Sequence, residues 1–188
     1  QYKQGRNRWQ NQFTQFASGS SKPVSGEIKQ NQENFLLRPA LALYQPDIAG
    51  NTGTLIRLSA CMDTQLHIIE PAGFRTDDTN LKRAGMDYID LATITRHADY
   101  AAFQSFAKTH QRRVILLTTK SQETYTSFQF EPDDILLLGR ESLGVPENVH
   151  QDADASLTIK MAENARSLNQ AISAAMVLGE ALRQTAKS

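Results

Sequence analysis

From residue 38 onward, apolar residues cluster in short runs, and the runs are separated by segments in which apolar positions recur with helical spacing. Continuous apolar runs of about four to eight residues are typical of strands buried on both faces, whereas a period near 3.6 indicates helices. The predicted strands are Ala40–Tyr44, Leu66–Glu70, Tyr88–Thr95, Arg113–Thr118, Ile135–Leu138 and Leu157–Met161. The predicted helices are Asn51–Met62, Tyr100–Thr109 and Ser167–Gln184.

This alternation of strands and helices predicts one α/β domain over residues 38–188. Parallel strands need long crossover connections, usually helices, and these cover the two faces of the sheet. We therefore expect a parallel sheet with helices on both faces. Ligands bind such sheets at the carboxyl ends of the strands, so the segments that follow the strands are the first candidates for a functional site.

Residues 1–37 have a different composition, rich in Gln, Asn, Ser and Gly. A segment of this kind buries too little apolar surface to offset the entropy lost on ordering. We predict a polar, basic N-terminal extension that is flexible or packed on the surface. Trp9, Phe13 and Phe16 would share one face of a short helix, which suits an RNA-docking arm, although an adventitious extension is the simpler interpretation.

The formal net charge is zero, with 20 basic and 20 acidic residues. This total conceals an asymmetry, because residues 1–37 carry five basic and two acidic residues, a net of +3. The remainder carries 15 basic and 18 acidic residues, a net of −3. The balance argues against a purely electrostatic nucleic-acid binder, but it leaves room for recognition through a local basic patch.

The lone cysteine, Cys61, excludes an internal disulfide framework and a multi-cysteine zinc site, and we predict that it lies in the core. We expect no metal. No apolar run approaches the ~20 residues that a membrane span needs, and no secretory leader is recognisable. We therefore expect a cytoplasmic protein without a membrane partner.

The segment after the predicted strand Ile135–Leu138 is a loop flanked by two glycines, Gly139 to Pro146. Glycines allow a backbone to approach a ligand closely. Common phosphate and nucleophile motifs do not fit: Val145 follows Gly144 where a P-loop has lysine, the middle glycine of a dinucleotide fingerprint is missing, and Arg140 occupies the first glycine of a nucleophile elbow. Taken alone, the loop is equally compatible with a ligand site and a simple βα turn.

Two further polar clusters lie at predicted junctions. After the first strand, Asn51 and Thr52 can cap the next helix, and Arg57 in its second turn is a natural clamp for a phosphate or carboxylate. Before the last helix, the cluster Arg166–Asn169 contains Ser167, a good N-cap. Capping and a solvated surface arginine would explain each cluster in isolation.

In their order along the chain, the three clusters resemble the three motifs of the SpoU branch of the SPOUT RNA 2′-O-methyltransferases. Ile69–Phe74, Leu81–Tyr88 and Leu117–Lys120 are similar to the corresponding segments of the TrmL subgroup, whose members methylate the wobble nucleotide of certain leucine tRNAs. The resemblance covers about Ala40–Gln184. It implies a trefoil-knotted SPOUT methyltransferase fold, a homodimer, S-adenosylmethionine as cofactor and tRNA as substrate.

Matching the motifs residue by residue implies a role for each position. The implied catalytic residues are Arg57, Asn51, Glu141 and Asn169. The implied cofactor-binding residues are Leu117, Gly139, Ile159, Ser167 and Leu168. Lys82, Arg83, Arg140 and Arg166 are the implied RNA contacts, and Arg75, Arg112 and Arg113 would extend that basic surface. Scattered solvated charges are the alternative interpretation of these cations.

The leading hypothesis is therefore S-adenosylmethionine-dependent methylation of the ribose of cytidine or uridine 34 in leucine tRNAs. The alternatives are a ribose methyltransferase of another tRNA site or of ribosomal RNA, and a catalytically idle SPOUT RNA-binding protein. Removing the 2′-hydroxyl proton is the difficult step, because no histidine lies in the clusters and the pKa of arginine exceeds ~12. We expect Arg57 to bind a substrate phosphate and the developing alkoxide, while the proton leaves through that phosphate or water.

Overall fold

The computed structural model describes residues 38–75, 79–85 and 88–186, and the predicted extension 1–37 lies outside them. Six strands form one sheet in the order β3-β2-β1-β5-β4-β6, and every neighbouring pair is parallel. The predicted parallel sheet is therefore confirmed. The strands are β1 (Ala40–Tyr44), β2 (Gln65–Ile69), β3 (Thr93–His97), β4 (Val114–Leu117), β5 (Ile135–Leu138) and β6 (Ala155–Leu157).

Five helices occur among the described residues, and none of them is long and apolar enough to cross a membrane. Three were predicted from the sequence, whereas the two short ones, α2 and α4, were not. The helices are α1 (Ala49–Cys61), α2 (Thr79–Gly85), α3 (Tyr100–Thr109), α4 (Glu147–Asp152) and α5 (Gln170–Thr185).

Side chains alternate between the two faces of the sheet, and both faces are buried. In β1, Leu41 and Leu43 join a hydrophobic cluster with residues of α1, α2 and α5. Their neighbours Ala40, Ala42 and Tyr44 join a second cluster with residues of α3 and α4. Fully burying a leucine contributes roughly 1.5–3 kcal/mol relative to leaving it exposed, so the apolar strands stabilise helices on both sides. The prediction of two helical layers is confirmed.

Two strands lie elsewhere than their apolar runs indicated. β3 begins at Thr93, because the chain from Tyr88 to Ala92 forms turns. β6 ends at Leu157, where the predicted strand only begins. Beyond it, Thr158 makes one isolated bridge, and Ile159 lines a cleft. The apolar alternation after Leu157 reflects a cleft wall and not a strand.

The predicted helix caps are wrong, because both helices begin elsewhere. α5 starts after Asn169, whose side-chain oxygen accepts hydrogen bonds from the two amides of the first turn, at 2.9 and 3.3 Å, so Ser167 is not the cap. α1 starts after Ile48, with no side-chain cap, and Asn51 lies inside its first turn. The side chain of Asn51 is thereby available for contacts outside its own helix.

Cys61 is exposed at the last residue of α1, so its prediction as a core residue is also wrong. The apolar face of α1 consists of other residues, including Leu55 and Ile56, which are buried against the sheet. Cys61 comes five residues after Ile56, which places it around the helix axis from that face.

Candidate functional site

A cleft of about 580 Å³ opens at the carboxyl ends of three neighbouring strands. Leu117, Leu138 and Leu157, the last residues of β4, β5 and β6, form its floor. The segments after β4 and β5, the segment between β6 and α5, the first turns of α1 and α5, and His150 of α4 supply other parts of the walls. This is the edge of the sheet at which the sequence predicts a ligand.

All five predicted cofactor-binding residues line this cleft, although they come from three separate parts of the chain. Leu117 ends β4 and Gly139 follows β5. Ile159, Ser167 and Leu168 belong to the segment that leads from β6 to α5. The sheet topology therefore brings together residues that the sequence separates by up to 51 positions.

The loop between Gly139 and Gly144 is closed on itself. The amides of Arg140 and Gly144 each donate a 2.9 Å hydrogen bond to the carbonyl oxygen of the other. A Cβ atom on Gly139 would lie 2.7 Å from the carbonyl carbon of Gly144, inside van der Waals contact with backbone. Gly144 itself has φ +68°, a conformation that favours glycine. Both glycines are thus required by the shape of the loop.

Three predicted catalytic residues form one hydrogen-bonded chain in the cleft. The side-chain amide of Asn169 donates to the side-chain oxygen of Asn51 at 2.9 Å. The amide of Asn51 in turn donates to Glu141 Oε1 at 3.2 Å. The oxygen of the Asn51 side chain is thus held by Asn169 and its nitrogen by Glu141, and these two contacts fix the orientation of the amide.

Asp47 extends this chain on the far side of Glu141. The backbone amide of Asp47 donates to Glu141 Oε2 at 3.1 Å, and the backbone amide of Glu141 donates to Asp47 Oδ1, also at 3.1 Å. Asp47 Oδ2 accepts from the Ser142 hydroxyl and lies 3.5 Å from Arg140 Nε. Asp47 was missed in the sequence, since only its position just before the first cluster distinguishes it.

The two carboxyl groups have opposite pKa displacements. Hydrogen bonding with the Glu141 side chain, supported by Ser142 and the charge of Arg140, holds the pKa of Asp47 well below its usual value despite burial. Burial, together with the neighbouring Asp47, raises the pKa of Glu141. The pair therefore loses its first proton from Asp47, and Glu141 is the group that titrates at higher pH.

Arg57, the predicted catalytic arginine, does not line the cleft of its own chain. Its side chain is exposed on α1, and its guanidinium carbon lies 4.8 Å from the centroid of the Tyr88 ring. A cation over an aromatic face at an exposed site contributes about 0.5–1 kcal/mol. The structure thus separates Arg57 from the chain formed by Asn51, Glu141 and Asn169.

The predicted RNA contacts occupy different places. Arg140 is half-buried and lines the cleft, whereas Arg166 is exposed and outside its lining. Arg83 is exposed and lines a second cleft of about 680 Å³ between the amino end of α1 and one side of α2. The side chain of Lys82 lies outside the described part of the structure.

Arg112 and Arg113 both make contacts within the domain, and the prediction that Arg112 extends an RNA surface is wrong because its side chain is buried. Arg112 is only 5% exposed and donates hydrogen bonds to the carbonyl oxygens of Arg38 and Asp133. Arg113 is bound to both carboxylate oxygens of Asp134 at 2.8 and 2.9 Å. The guanidinium of Arg112 is therefore not available to a nucleic-acid backbone, whereas that of Arg113 is half-buried and paired with Asp134.

Gln170, the first residue of α5, lines the cleft of about 580 Å³, and the sequence did not predict this role. Its side-chain nitrogen donates to the carbonyl oxygen of Gly139 at 2.7 Å and so ties α5 to the glycine loop. Its side-chain oxygen is buried and has no protein partner. Buried polar atoms are normally hydrogen-bonded, so this oxygen marks a place for a ligand donor or water.

Comparison with known proteins gives a consistent result. The model of the SpoU rRNA Methylase family matches residues 38–179. A tRNA (cytidine(34)-2′-O)-methyltransferase of Ancylobacter novellus is 55% identical over 146 residues, which cover 78% of this chain and 92% of that protein.

Solved structures show the same similarity. A structure described as giving insights into the 2-OH methylation of C/U34 on tRNA superimposes with a TM-score of 0.75 at 35% identity, covering 79% of this chain and 97% of the other. An AdoMet-bound rRNA methyltransferase from Sinorhizobium meliloti shares the fold, with a TM-score of 0.73 at 24% identity, over 80% of this chain and 57% of that one.

Proposed function

This chain belongs to the SpoU rRNA Methylase family, and we propose that it transfers a methyl group from S-adenosylmethionine to the 2′-hydroxyl of nucleotide 34, the wobble position, of a tRNA. The observation that carries the proposal is that each of the three predicted motifs contributes residues to one cleft. The relatives named for cytidine 34 methylation support the tRNA substrate. The choice of leucine tRNAs rests on the resemblance of the sequence alone.

The cleft fits S-adenosylmethionine in size and chemistry. Its volume of about 580 Å³ is within the range of roughly 300–1,000 Å³ typical of small-molecule sites. Leu117, Ile159 and Leu168 offer apolar walls to a base, and the unpartnered oxygen of Gln170 accepts from a polar group. Gly139 allows the backbone of Gly144 to approach closely, and this approach sets the shape of the loop that lines the cleft.

The bound cofactor supplies an electrophilic methyl group on a positively charged sulfur. The work of this chain is to hold the ribose hydroxyl in line with that group, and alignment alone can supply a large part of the acceleration. Asn51 is oriented for this by its hydrogen bonds to Glu141 and Asn169. Arg57 binds the substrate phosphate and stabilises the developing alkoxide, and the proton leaves through the phosphate or water.

We propose further that two copies of the chain form the working enzyme. Ile172 and Met176, one helical turn apart on α5, are 54% and 39% exposed, and Leu168 nearby is 39% exposed. Exposed apolar side chains grouped in this way suit a protein interface. Since Arg57 lies outside its own cleft, the second copy also accounts for how an arginine reaches the reacting ribose.

A trefoil knot is the chain path that we infer for the cofactor region. The segment after β6 is bonded to the β4–β5 connection, through reciprocal contacts of Thr158 with Glu123 and Tyr125. α5 is also bonded to segments on either side of β5: the side chain of Gln170 donates to the carbonyl oxygen of Gly139, and the side chain of Gln184 accepts from the amide of Phe130. A crystal structure whose chain trace shows no threefold crossing here would refute the knot.

The extension 1–37 and the domain 38–188 are proposed as separate units, supported by a family match that begins at residue 38. The extension carries a net charge of +3, which makes it a candidate for auxiliary tRNA binding. Deletion of residues 1–37 is expected to weaken tRNA binding and reduce the dependence of affinity on salt. An unchanged affinity and salt slope would show that the extension has no part in binding. A cytoplasmic location stays a prediction.

The proposed activity is tested with total tRNA from a strain that lacks the gene, incubated with the protein and methyl-labelled S-adenosylmethionine. Nucleoside analysis should find the label on a ribose at position 34 of leucine tRNAs. The Asn51→Ala variant serves as a control for contaminating activity. Label on a base would refute ribose methylation, and label on a ribose elsewhere would retain the reaction but reject the wobble position. Absence of label with intact S-adenosylmethionine binding would favour an idle RNA-binding protein.

A further inference from the structure

We propose that Asp47 is a positioning residue, which holds the backbone and carboxylate of Glu141 so that Glu141 can orient the Asn51 amide toward the reacting ribose. The inference rests on the proposed methyl transfer, and it adds a residue that lies outside the three motif clusters. Asp47 precedes α1 by two positions and stands 94 residues before Glu141.

The carboxylate of Asp47 contacts three consecutive residues of the glycine-flanked loop. Oδ1 accepts from the Glu141 backbone amide at 3.1 Å, and Oδ2 accepts from the Ser142 hydroxyl and lies 3.5 Å from Arg140 Nε. The side chain of Asp47 is only 16% exposed, so water competes weakly for these contacts. One side chain thus fixes the loop that forms the wall of the cleft.

Asp47 also donates a hydrogen bond to the side chain of Glu141, so the position of the loop and the orientation of the Glu141 carboxylate depend on each other. The Asp47 amide donates to Glu141 Oε2, while Asn51 donates to Oε1. With both oxygens accepting, the ionised carboxylate is the form of Glu141 that satisfies the arrangement. A displaced or protonated Glu141 releases the Asn51 amide on one side, and Asn169 alone then holds it.

Asp47 also affects the ionisation of Glu141 as a neighbouring negative charge. The groups that face Asp47 are Glu141, Ser142 and Arg140, and of these only Arg140 is positive. Replacing Asp47 by neutral Asn removes like-charge repulsion from Glu141, so the pKa of Glu141 falls. Activity that depends on ionised Glu141 then persists to lower pH.

The test compares Asp47→Ala and Asp47→Asn with Asp63→Asn, a matched control whose carboxylate forms an exposed ion pair with Arg38. Asp47→Ala should lower kcat about tenfold or more, because misalignment acts on the chemical step, with S-adenosylmethionine affinity changed less than about threefold. Asp47→Asn should shift the acidic limb of the kcat profile to lower pH. Asp63→Asn should match the wild type in all three measurements.

A double-mutant cycle with Glu141→Gln decides whether Asp47 acts through Glu141. The fold-loss in kcat from Asp47→Ala should be much smaller in the Glu141→Gln background, because coupled residues are non-additive. Equal losses in both backgrounds, or an acidic limb that stays in place, would refute the proposal. Hydrogen exchange of the peptide spanning residues 140–142 provides a test without activity: protection there should fall in Asp47→Ala, and unchanged protection would also refute it. An inactive wild type would contradict the methyltransferase function alone.

Discussion

Asn169 donates its side-chain amide to the side-chain oxygen of Asn51 at 2.9 Å, across 118 positions of sequence. The same residue caps α5, because its own side-chain oxygen accepts from the amides of Ala171 and Ile172. The side-chain oxygen of Asn169 therefore has a structural role as a helix cap, while its side-chain nitrogen has a role in the site. These two roles are separable by substitution.

Asn169→Asp should separate them, because aspartate is as good an N-cap as asparagine but has no donor for Asn51. We expect Tm close to that of the wild type and a loss in kcat of about tenfold to a thousandfold, since a preorganised polar contact in the site is removed. Asn169→Ala should lose both, with about 1 kcal/mol of stability gone through the missing cap. Thermal denaturation and single-turnover methylation measure the two effects. Normal kcat in Asn169→Asp would contradict the role assigned to the contact with Asn51.

Arg57 is predicted to act on the substrate and not on the cofactor, because its side chain lies outside the cleft. Arg57→Ala should reduce kcat by about a hundredfold to a thousandfold, the usual effect of removing a charge stabiliser of the transition state. S-adenosylmethionine affinity should stay at the wild-type value, as measured by calorimetry. Arg57→Lys should recover part of the activity, because lysine keeps the charge but not the planar fork. Near-normal turnover in Arg57→Ala would refute the assignment.

A homodimer in which one copy supplies Arg57 to the cleft of the other makes a sharper prediction. Arg57→Ala, and a variant of the same chain whose cofactor cleft is blocked, should each be inactive alone. Mixed dimers should regain activity, because one of their two sites combines an intact arginine with an intact cleft. Failure to regain activity in verified mixed dimers would mean that Arg57 serves the cleft of its own chain.

Gly139→Ala should distort the loop that lines the cofactor cleft, because the new Cβ would lie 2.7 Å from the backbone of Gly144. The loop must move, and we expect S-adenosylmethionine affinity to fall at least about tenfold, a loss of roughly 1.4 kcal/mol. Gly50→Ala is the matched control, since a Cβ there meets nothing within 4 Å and Gly50 does not line this cleft. Calorimetric titration of both variants measures the difference, and equal affinities would show that the loop tolerates the added atom.

The exposed apolar face of α5 predicts how dimerisation can be disrupted. Met176→Glu and Ile172→Glu should shift the protein toward monomer, because each would place a charge among the apolar groups of the proposed interface. Ala101→Glu is the control, since it adds the same charge to an exposed position of α3 on the opposite face of the sheet. Light scattering coupled to gel filtration measures the mass. A dimer that withstands both α5 substitutions would place the interface elsewhere.

The sequence predicts the sheet well because strands buried on both faces leave a strong signal. Ala40–Tyr44 and Ile135–Leu138 are strands over the predicted bounds, since their apolar runs end where burial ends. Leu157–Met161 was misassigned for the same physical reason, because the wall of a cofactor cleft is as apolar as a strand. Burial alone does not distinguish packing against a sheet from lining a ligand site.

The motif order predicts which residues surround the cleft, but not how they are connected. Asp47, Asn51 and Glu141 interact through donor and acceptor directions that depend on where α1 begins. The sequence favours capping roles for Asn51 and Ser167 because local hydrogen bonds are the only ones visible in it. In the folded protein Asn51 instead bonds to Glu141 and Asn169, which are distant in sequence, and these contacts depend on the topology of the sheet.

A buried histidine pair was invisible in the sequence for a similar reason. His67 of β2 and His97 of β3 lie on neighbouring strands, and their ring nitrogens, Nδ1 and Nε2 respectively, are 2.9 Å apart. Both rings pack against Phe103 and Phe106 of α3. Burial, reinforced by the charges of neighbouring groups, lowers the pKa of His67 to about 2, and burial lowers that of His97.

These lowered pKa values predict that the protein loses stability in acid. Between the ordinary histidine pKa of about 6.5 and the lowered values, the unfolded chain binds protons that the folded chain does not, so the free energy of unfolding falls as pH falls. For His67 alone the loss between pH 7 and pH 5 is roughly 2 kcal/mol by this linkage. Urea denaturation at the two pH values measures it. In the double variant His67→Leu, His97→Leu the fall over this range should shrink by at least that amount, because the linked protons are removed with the rings. The His150→Gln control, which removes a half-buried histidine outside this pair, should retain the wild-type slope. An unchanged pH dependence in the double variant would show that other groups cause the acid sensitivity.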